Sequence, residues 1–591
     1  TTNSRGISNV PVTNVPVTKS TTKVLMPCQE SNYIHTQIRP NDTAVICSIV
    51  SNEEFYIDEW LDYNIGIGFT HIYIYDNTNQ FDLGHNWLQR RPRLAGRVTI
   101  QHYPGQGQGK QFTAYRDCAR QVLQDGHRWI FFTDVDEFLV LKKHPKVVPF
   151  LLEHDVNRTA VSINWQVHSW DDQFQFQPRP VTQRFMGKAV WDKIKMNLHV
   201  KTISNVDKID LNRGLHAHYA ALNCGNYAID TDGKNVSERH HNADYPSNIA
   251  LVYHYNAKSW KEFIAKRIRG RPDVRGNAYL QPLVEKARQG MGLENTSAID
   301  PSAWEMLKLN NPKYRFFDNT VVVDSATVEN NHKNNVSIGI CCHVKDQEAY
   351  IDEWIDYHLA LGFSTVYLYD STEEFWMSQW GEERNETRLS LVHFPSDDRN
   401  TTILNERVGA YTDCVRMHGK DNDALLFLEV SDFVVFPGRN AGIEQLLDQS
   451  ECVQFERILF GHGGQFIYDP LPVTKRFFLW VNETTPDFAS HSLLLPTKSM
   501  NSTFNTQKKF ERDLIHYLTS GQFSSNNTCP VQPITPVNIY IHHYLRSAKE
   551  CNKEKGDSSS LCNIVGSVED RTAWEQMRHL VPWYANFDDL M

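Results

Sequence analysis

One long stretch of this 591-residue chain occurs twice, and that repeat restricts the fold more than any other feature. Tyr56-Ile-Asp-Glu-Trp60-Leu-Asp-Tyr63 returns as Tyr350-Ile-Asp-Glu-Trp354-Ile-Asp-Tyr357. Both copies run on through Gly68-Phe69 or Gly362-Phe363 to an aromatic strand pattern ending in Asp76 or Asp370. Further matches follow in the same order. Tyr115-Arg-Asp-Cys118 pairs with Tyr411-Thr-Asp-Cys414, Val181-Thr-Gln-Arg-Phe185 with Val473-Thr-Lys-Arg-Phe477, and His254-Tyr255 with His543-Tyr544. The offset stays between 289 and 296 residues, far too long for a solenoid period. The chain therefore reads as a duplicated domain, with copies over 42–320 and 334–591 joined by the polar stretch Glu329–Asn335. Its length alone already argues against a single core.

Each copy opens with a β-branched run, Ala44–Val50 or Val336–Cys342. A helix follows in which Ile57, Trp60, Leu61 and Asn64 share one face, with Gly68 or Gly362 as its stop signal. Next come strands at His71–Tyr75 and Val98–His102, a helix around Phe112–Gln124, and an apolar strand through Ile130–Thr133. This alternation predicts an α/β fold with a mostly parallel sheet. Ligands of such sheets bind beyond the carboxyl ends of the strands, where Asp76 and Asp134 fall.

The apolar strand from Trp129 ends in Asp134-Val135-Asp136. Two carboxylates so spaced suit a hard divalent cation such as Mn²⁺ or Mg²⁺, which takes oxygen ligands and is often shared with a phosphate. The same triplet also suits a solvated acidic turn. Asp134, Asp136 and His254, which follows the apolar run Ile249–Tyr253, are the candidate metal ligands. Lys258, Lys266 and Arg269 are candidate phosphate partners, and Glu53 and Asp76 candidate partners for a ribose or base. Asp134 serves either role.

Composition narrows the setting. A net charge of −10 and a pI near 6.2 exclude a basic nucleic-acid-binding face. No apolar run approaches the roughly 20 residues that cross a bilayer. Asn-X-Ser/Thr sequons at Asn41, Asn157, Asn235, Asn295, Asn335, Asn385, Asn400, Asn482, Asn501 and Asn526 favour a secretory route. Residues 1–41, rich in Thr, Val, Pro and Asn, read as a flexible stem. A start at Thr1 fits loss of a leading segment, so the expected setting is the Golgi lumen, as the ectodomain of a type II membrane protein. Of 11 cysteines, Cys551 and Cys562 flank a polar loop and suit a local disulfide. Cys47, Cys118, Cys341 and Cys414 lie in apolar contexts and read as buried thiols.

Taken in order, Asn52-Glu-Glu, Glu59-Trp, Gly68, Tyr75-Asp76-Asn77, Gln111, Cys118, Trp129, Asp134-Val-Asp-Glu-Phe138, Trp165, Arg184-Phe185, His254-Tyr255, Lys258-Ser259 and Arg269-Gly270 resemble glycosyltransferase family 92. The likeness covers most of the first copy and, weakened, the second. It implies two tandem GT-A (Rossmann-like) domains. It also implies inverting transfer of a sugar, galactose, from a UDP-sugar with Mn²⁺ to a glycan or glycoprotein acceptor. Inversion needs a base for the acceptor hydroxyl, and Asp171, Asp172 and Glu137 are the candidates. The loop His168-Ser-Trp-Asp-Asp172 departs from the family's usual Phe-Gly-Ser-Ser-Gly, which the second copy approaches in Phe460-Gly-His-Gly-Gly464.

In the second copy Glu429 replaces Asp134, Ser431 replaces Asp136 and Asp432 replaces Glu137. His543 matches His254, and Ser547 stands where Lys258 does, with Arg546 and Lys549 nearby. Loss of a carboxylate and a lysine predicts a copy without turnover, serving to bind acceptor, brace the first copy or form a homodimer. A glycan-binding protein without turnover is the alternative for the whole chain.

Overall fold

The computed structural model describes residues 42–269 with short gaps at 85–86, 108, 155–158, 172, 174–175, 189–194, 214, 224–225 and 237–239. It then describes 298–318, and 336–436 with gaps at 346, 348, 373–376, 385 and 396–402. Beyond that it describes Ile443, Ala573 and the strand segments 453–460, 479–480, 491–496, 531–532, 540–544 and 568–569.

β1 (Ala44–Val50) is buried at every residue, which requires a neighbour at each edge and cover on each face. It pairs in parallel with β2 (His71–Asp76) on one side and β4 (Trp129–Phe132) on the other, and β3 (Val98–His102) extends the sheet beyond β2. The helix Ile57–Gly66 connects β1 to β2 and buries Ile57, Trp60, Leu61 and Asn64, as the spacing predicts. Gly68 follows with φ 104°, a left-handed turn that a side chain resists. Burial of Trp60 and its apolar neighbours contributes roughly 1.5–3 kcal/mol per large side chain. The helix Lys110–Gln124 covers the other face through Ala114, Tyr115, Cys118 and Val122.

Past β4 the sheet becomes mixed, though parallel pairs remain the majority in it. The chain turns at Asp134–Asp136 into β5 (Glu137–Leu141), which leaves its neighbour and pairs antiparallel with β10 (Ala250–His254) at the far edge. Between lie β6 (Thr159–Val167), parallel to β10, and β8 (Val200–Asn205), antiparallel to both β4 and β6. The short β7 (Gly187–Lys188) and β9 (Tyr227–Ile229) sit off this path. The order is β3-β2-β1-β4-β8-β6-β10-β5. Parallel pairing holds where helices provide the crossover. The far half is built by strands that return, so it is mixed.

After β11 (Ala298–Ile299) a second sheet uses β12 (Ile338–Val344), β13 (Thr365–Asp370), β14 (Leu389–His393), β15 (Ala424–Leu428) and β16 (Asp432–Val435). It continues with β17 (Val453–Phe460), β18 (Leu479–Trp480), β19 (His491–Pro496), β20 (Val531–Gln532), β21 (Tyr540–Tyr544) and β22 (Val568–Glu569). Its run β14-β13-β12-β15-β19-β17 repeats β3-β2-β1-β4-β8-β6. β21 is parallel to β17 and antiparallel to β16, as β10 is to β6 and β5.

The cysteine expectation is corrected. Cys47 of β1 is bonded to Cys118 of the covering helix, and Cys341 of β12 to Cys414 in the helix Ile403–His418. The buried, apolar setting that suggested thiols is the strand–helix interface these bonds cross. Cys551 and Cys562 lie outside the described residues.

Candidate active site

The acidic loop is held from behind. Trp60 Nε1 donates to the Glu137 carbonyl at 3.0 Å, and the Tyr63 hydroxyl to the Leu139 carbonyl at 3.0 Å. A helix laid over the sheet thus fixes the start of β5, which explains the Trp-x-x-Tyr pattern, while Glu59 accepts from the Val181 and Thr182 amides. Inside the loop, Glu137 accepts from Thr133 Oγ1 (2.9 Å) and from the Asp134 amide (3.0 Å). Its side chain has no exposed surface. Burial raises its pKa despite the ammonium of Lys201 at 2.9 Å. Glu137 therefore shapes the loop. A group that no acceptor can reach is not the base, and that candidate is withdrawn.

Lys201, in the middle of β8, is the functional residue that sequence reasoning missed. It is fully buried and also reaches Asp134 Oδ2 at 3.1 Å. Burial opposes its charge, but the two carboxylates outweigh this and raise its pKa. The visible signal was one lysine inside the otherwise apolar or small run Val200–Val206, since an unpaired lysine is almost never fully buried. Asp134 keeps about a third of its side-chain surface exposed and also receives Gln111 Nε2 at 3.4 Å.

Asp136, His254, Lys266 and Lys258 are brought together. The Tyr255 amide donates to the Asp136 carbonyl at 2.9 Å, docking the end of β10 on the loop. His254 Nε2 then lies 3.7 Å from Asp136 Oδ2, and Lys266 Nζ bonds the same oxygen. Burial works against the Asp136 charge, yet Lys266 and His254 hold its carboxyl well below the ordinary range. The His254 ring packs on Trp165 at 4.2 Å between centroids, and its Nδ1 is buried without a hydrogen-bond partner. Lys258, at φ 57°, is buried with its ammonium 4.2 Å over the Tyr56 ring, and burial lowers its pKa.

Among the described residues no three His, Cys, Asp or Glu form a finished metal cage. The donors present, two carboxylates and an imidazole with an orphaned buried nitrogen, fit a cation that takes its other ligands from substrate phosphates.

Other candidates fall differently. Arg269 is pinned by the carbonyls of Ser51 (2.7 Å) and Asn52 (2.9 Å) and by Glu53 Oε1 (2.7 Å). This links the end of the helix Trp260–Arg269 to the end of β1, so Glu53 and Arg269 meet at the strand ends as a mutual pair. Asp76 has no exposed surface. Its Oδ1 accepts from the Thr78 amide (2.9 Å) and hydroxyl (2.6 Å), and its Oδ2 from the Leu83 amide (2.9 Å). Asp370 makes the same three bonds, to Thr372 and to the Met377 amide. Asp76 closes a turn and has no surface left for the expected ribose contact. Asp171, at φ 49°, anchors the Gly187 amide at 2.8 Å. Its loop lies beside the site, because Trp260 N donates to the Gln173 carbonyl at 2.8 Å and β6 ends against His254. Asp172 lies outside the described residues.

The second half differs where it matters. Glu429 receives Arg407 at 2.7 Å, and Asp432 receives Arg457 at 2.5 Å, with Arg457 also 3.6 Å from Glu429. β21 carries His543, whose side chain lies outside the described residues, as does Ser547.

The α/β sheet thus carries an acidic loop at a central strand end, faced by His254, Lys258 and Lys266. Residues 44–289 match the family model described as Glycosyltransferase family 92. Two solved structures of the glycosyltransferase GlyE in Streptococcus pneumoniae TIGR4, one of them the apo form, are similar at 14% identity. They cover 43% of this chain and 63% of their own, with a TM-score of 0.23. HddC from Yersinia pseudotuberculosis is similar at 6% identity over 29% of this chain and 80% of its own, with a TM-score of 0.18. The chain thus spans less than two thirds of GlyE. At these scores the fold description rests on the sheet order alone. No curated protein matches the chain.

Proposed function

We propose that the first half, residues 42–320, is an inverting hexosyltransferase that moves galactose from a UDP-sugar to a glycan or glycoprotein. The observation that carries this reading is the meeting of Asp136, His254, Lys266 and Lys258 at one strand end. Asp134, Asp136 and His254 would hold Mn²⁺ or Mg²⁺, which when bound neutralises charge on the leaving diphosphate. Among the described residues Lys258 meets the Tyr56 ring and no carboxylate within ion-pair distance, so an entering diphosphate would give its buried ammonium a counter-charge. A cation held at Asp136 would leave Lys266, which bonds that carboxylate, free to meet the phosphates, while Arg269 keeps the helix end fixed. The acceptor hydroxyl attacks the anomeric carbon, its proton passes to a carboxylate, and the bond to the UDP oxygen breaks. Asp171 is the proposed base on the loop beside His254, with Asp172 next to it in sequence.

The second half, residues 334–591, is proposed as a GT-A-like domain without turnover, because guanidinium groups stand against both of its loop carboxylates. It supports the first half, binds acceptor or forms a homodimer. Core disulfides, which persist in oxidising compartments, support a secretory setting such as the Golgi lumen, with residues 1–41 as a stem. The test is UDP release by the purified chain from a panel of UDP-sugars with Mn²⁺. Turnover of UDP-galactose that depends on Asp136 is expected. Failure to consume any UDP-sugar sinks the proposal and favours a glycan-binding role.

A further inference from the structure

Five histidines that the acidic loop does not use, His199, His216, His218, His240 and His241, form a connected set of rings around Trp165. His199 and His218 lie 5.1 and 5.0 Å from the indole, and His216 lies 4.5 Å from His240. The closest approach is between His199 and His241, whose Nε2 atoms are 3.2 Å apart.

Hydrogen bonding fixes which nitrogen of His199 is bare. Its Nδ1 lies 3.1 Å from the Met196 carbonyl. A carbonyl only accepts, so Nδ1 carries the proton and Nε2 presents a lone pair. An imidazole that donates its other N–H to a carbonyl is the usual state of a metal-ligating histidine. Burial and the neighbouring imidazole hold His199 below the usual histidine range. The backbone holds the pair in place. His199 and His241 form an antiparallel bridge, Val200 N donates to the His240 carbonyl at 3.1 Å, and Asn242 N to the Leu198 carbonyl at 2.8 Å. Something must sit between the two nitrogens, either a proton on His241 Nε2 or a cation. Zinc binds imidazole at about 2.0–2.1 Å in a tetrahedron, whose ligand edge is then about 3.3 Å. The observed 3.2 Å lies close to that edge.

We infer that His199 and His241 form a second metal site, for an imidazole-preferring ion of the zinc type, distinct from the oxygen-rich site at Asp136. Trp165 contacts both His254 and His199, at 4.2 and 5.1 Å, and so lies between the two. Among the described residues no third His, Cys, Asp or Glu completes a cage, so water fills the remaining positions. Imidazole favours zinc, copper and nickel, whereas carboxylates favour manganese and magnesium. The two sites therefore sort their ions by chemistry. This inference does not depend on sugar transfer.

The probe is Zn²⁺ titrated calorimetrically into the full chain after chelator treatment. One saturable equivalent is expected, retained in Asp136→Asn and weakened at least roughly tenfold in His199→Ala and in His241→Gln. No saturable binding overturns the inference and leaves the proton-bridged pair as the explanation. So does binding that survives both histidine variants, or binding that Asp136→Asn abolishes. Should a histidine variant fail to fold, Co²⁺ in the unaltered chain decides. A tetrahedral visible spectrum displaced by Zn²⁺ supports the site, and its absence overturns it.

Discussion

In the first half a lysine from β8 lies against Glu137, and in the second an arginine from β17 lies against Asp432. Strand register makes the comparison residue by residue. Lys201 faces Ile163 in β6, and the matching position of β19, facing Phe455, is Ser492. Arg457 in turn occupies the register position of Trp165. Gln111, which touches Asp134 in one half, is matched by Arg407 on Glu429 in the other. The buried carboxylate at the base of the loop keeps a cation in both halves, but the cation comes from a neighbouring strand. In making that exchange the second half fills the space beside the loop with guanidinium and gives up the indole that supports the histidine. A buried charge must be paired, whereas a ligand site must also stay open. Among the described residues, Asp134 keeps about a third of its side chain exposed, whereas Glu429 is largely covered.

The strongest way to break this comparison is to exchange the middle carboxylate. Asp136→Asn should lower Mn²⁺-dependent UDP release by roughly 10³, the scale of several kcal/mol of lost charge stabilisation. The reciprocal Ser431→Asp should produce no Mn²⁺-dependent UDP binding by the second half, because Arg407 and Arg457 remain. If calorimetry shows such binding, the two halves differ by one side chain and the arginines are irrelevant.

Next in size is removal of each buried cation. Lys201→Met and Arg457→Met each strand a fully buried carboxylate, at a cost of about 3–5 kcal/mol. Hydrogen exchange of β4 and β15 should show the loss confined to the altered half. Equal, negligible effects would mean that the carboxylates simply take up protons and need no partner.

A smaller difference lies on the helices over each sheet. Arg91 and Arg93 both hold Asp58, at 2.6 and 2.7 Å, and although burial opposes its charge they lower its pKa to about 2. The folded value is below the unfolded one, so this stability is complete above pH 4–5 and is lost as pH falls towards 2. It amounts to about 2 kcal/mol, and Asp58→Asn should remove that part of the acid sensitivity in unfolding measured from pH 6 to pH 2. Asp352 is a third exposed and pairs with Arg384 at 2.7 Å, so Asp352→Asn should cost less. Least of all, Arg120→Ala and Arg416→Ala break the exposed pairs with Asp117 and Asp413 and should leave the urea midpoint unchanged.

Much of this was legible because it is local. The helix face of Ile57, Trp60 and Leu61, the turn at Gly68, the strand ends and the degraded triplet are patterns within a few residues. What stayed hidden is pairwise and distant. Lys201 lies 67 residues from Asp134, and Cys47 lies 71 from Cys118. Neither pairing can be seen before the strand order is known. Asp76 misled for a different reason. A carboxylate at a strand end looks the same whether it faces a ligand or the amides of its own turn. The turn residue Thr78, two positions on, was the available clue. Glu137 is the opposite case, since a carboxylate beside the triplet can orient the loop as readily as act as a base, and only its burial separates the two.

The hydrogen bonds from Trp60 and Trp354 to the loop bases carry a lesson for reading duplicated genes. They lock the strand after the loop through its backbone, while its first side chain, Glu137 or Asp432, is an acid that accepts the amide at the start of the loop. A loop whose middle carboxylate is replaced can therefore go on looking acidic, as Asp432 does beside Ser431. The first and last acids of such a loop testify only that the scaffold survives. The middle position, aspartate in one half and serine in the other, is the diagnostic one.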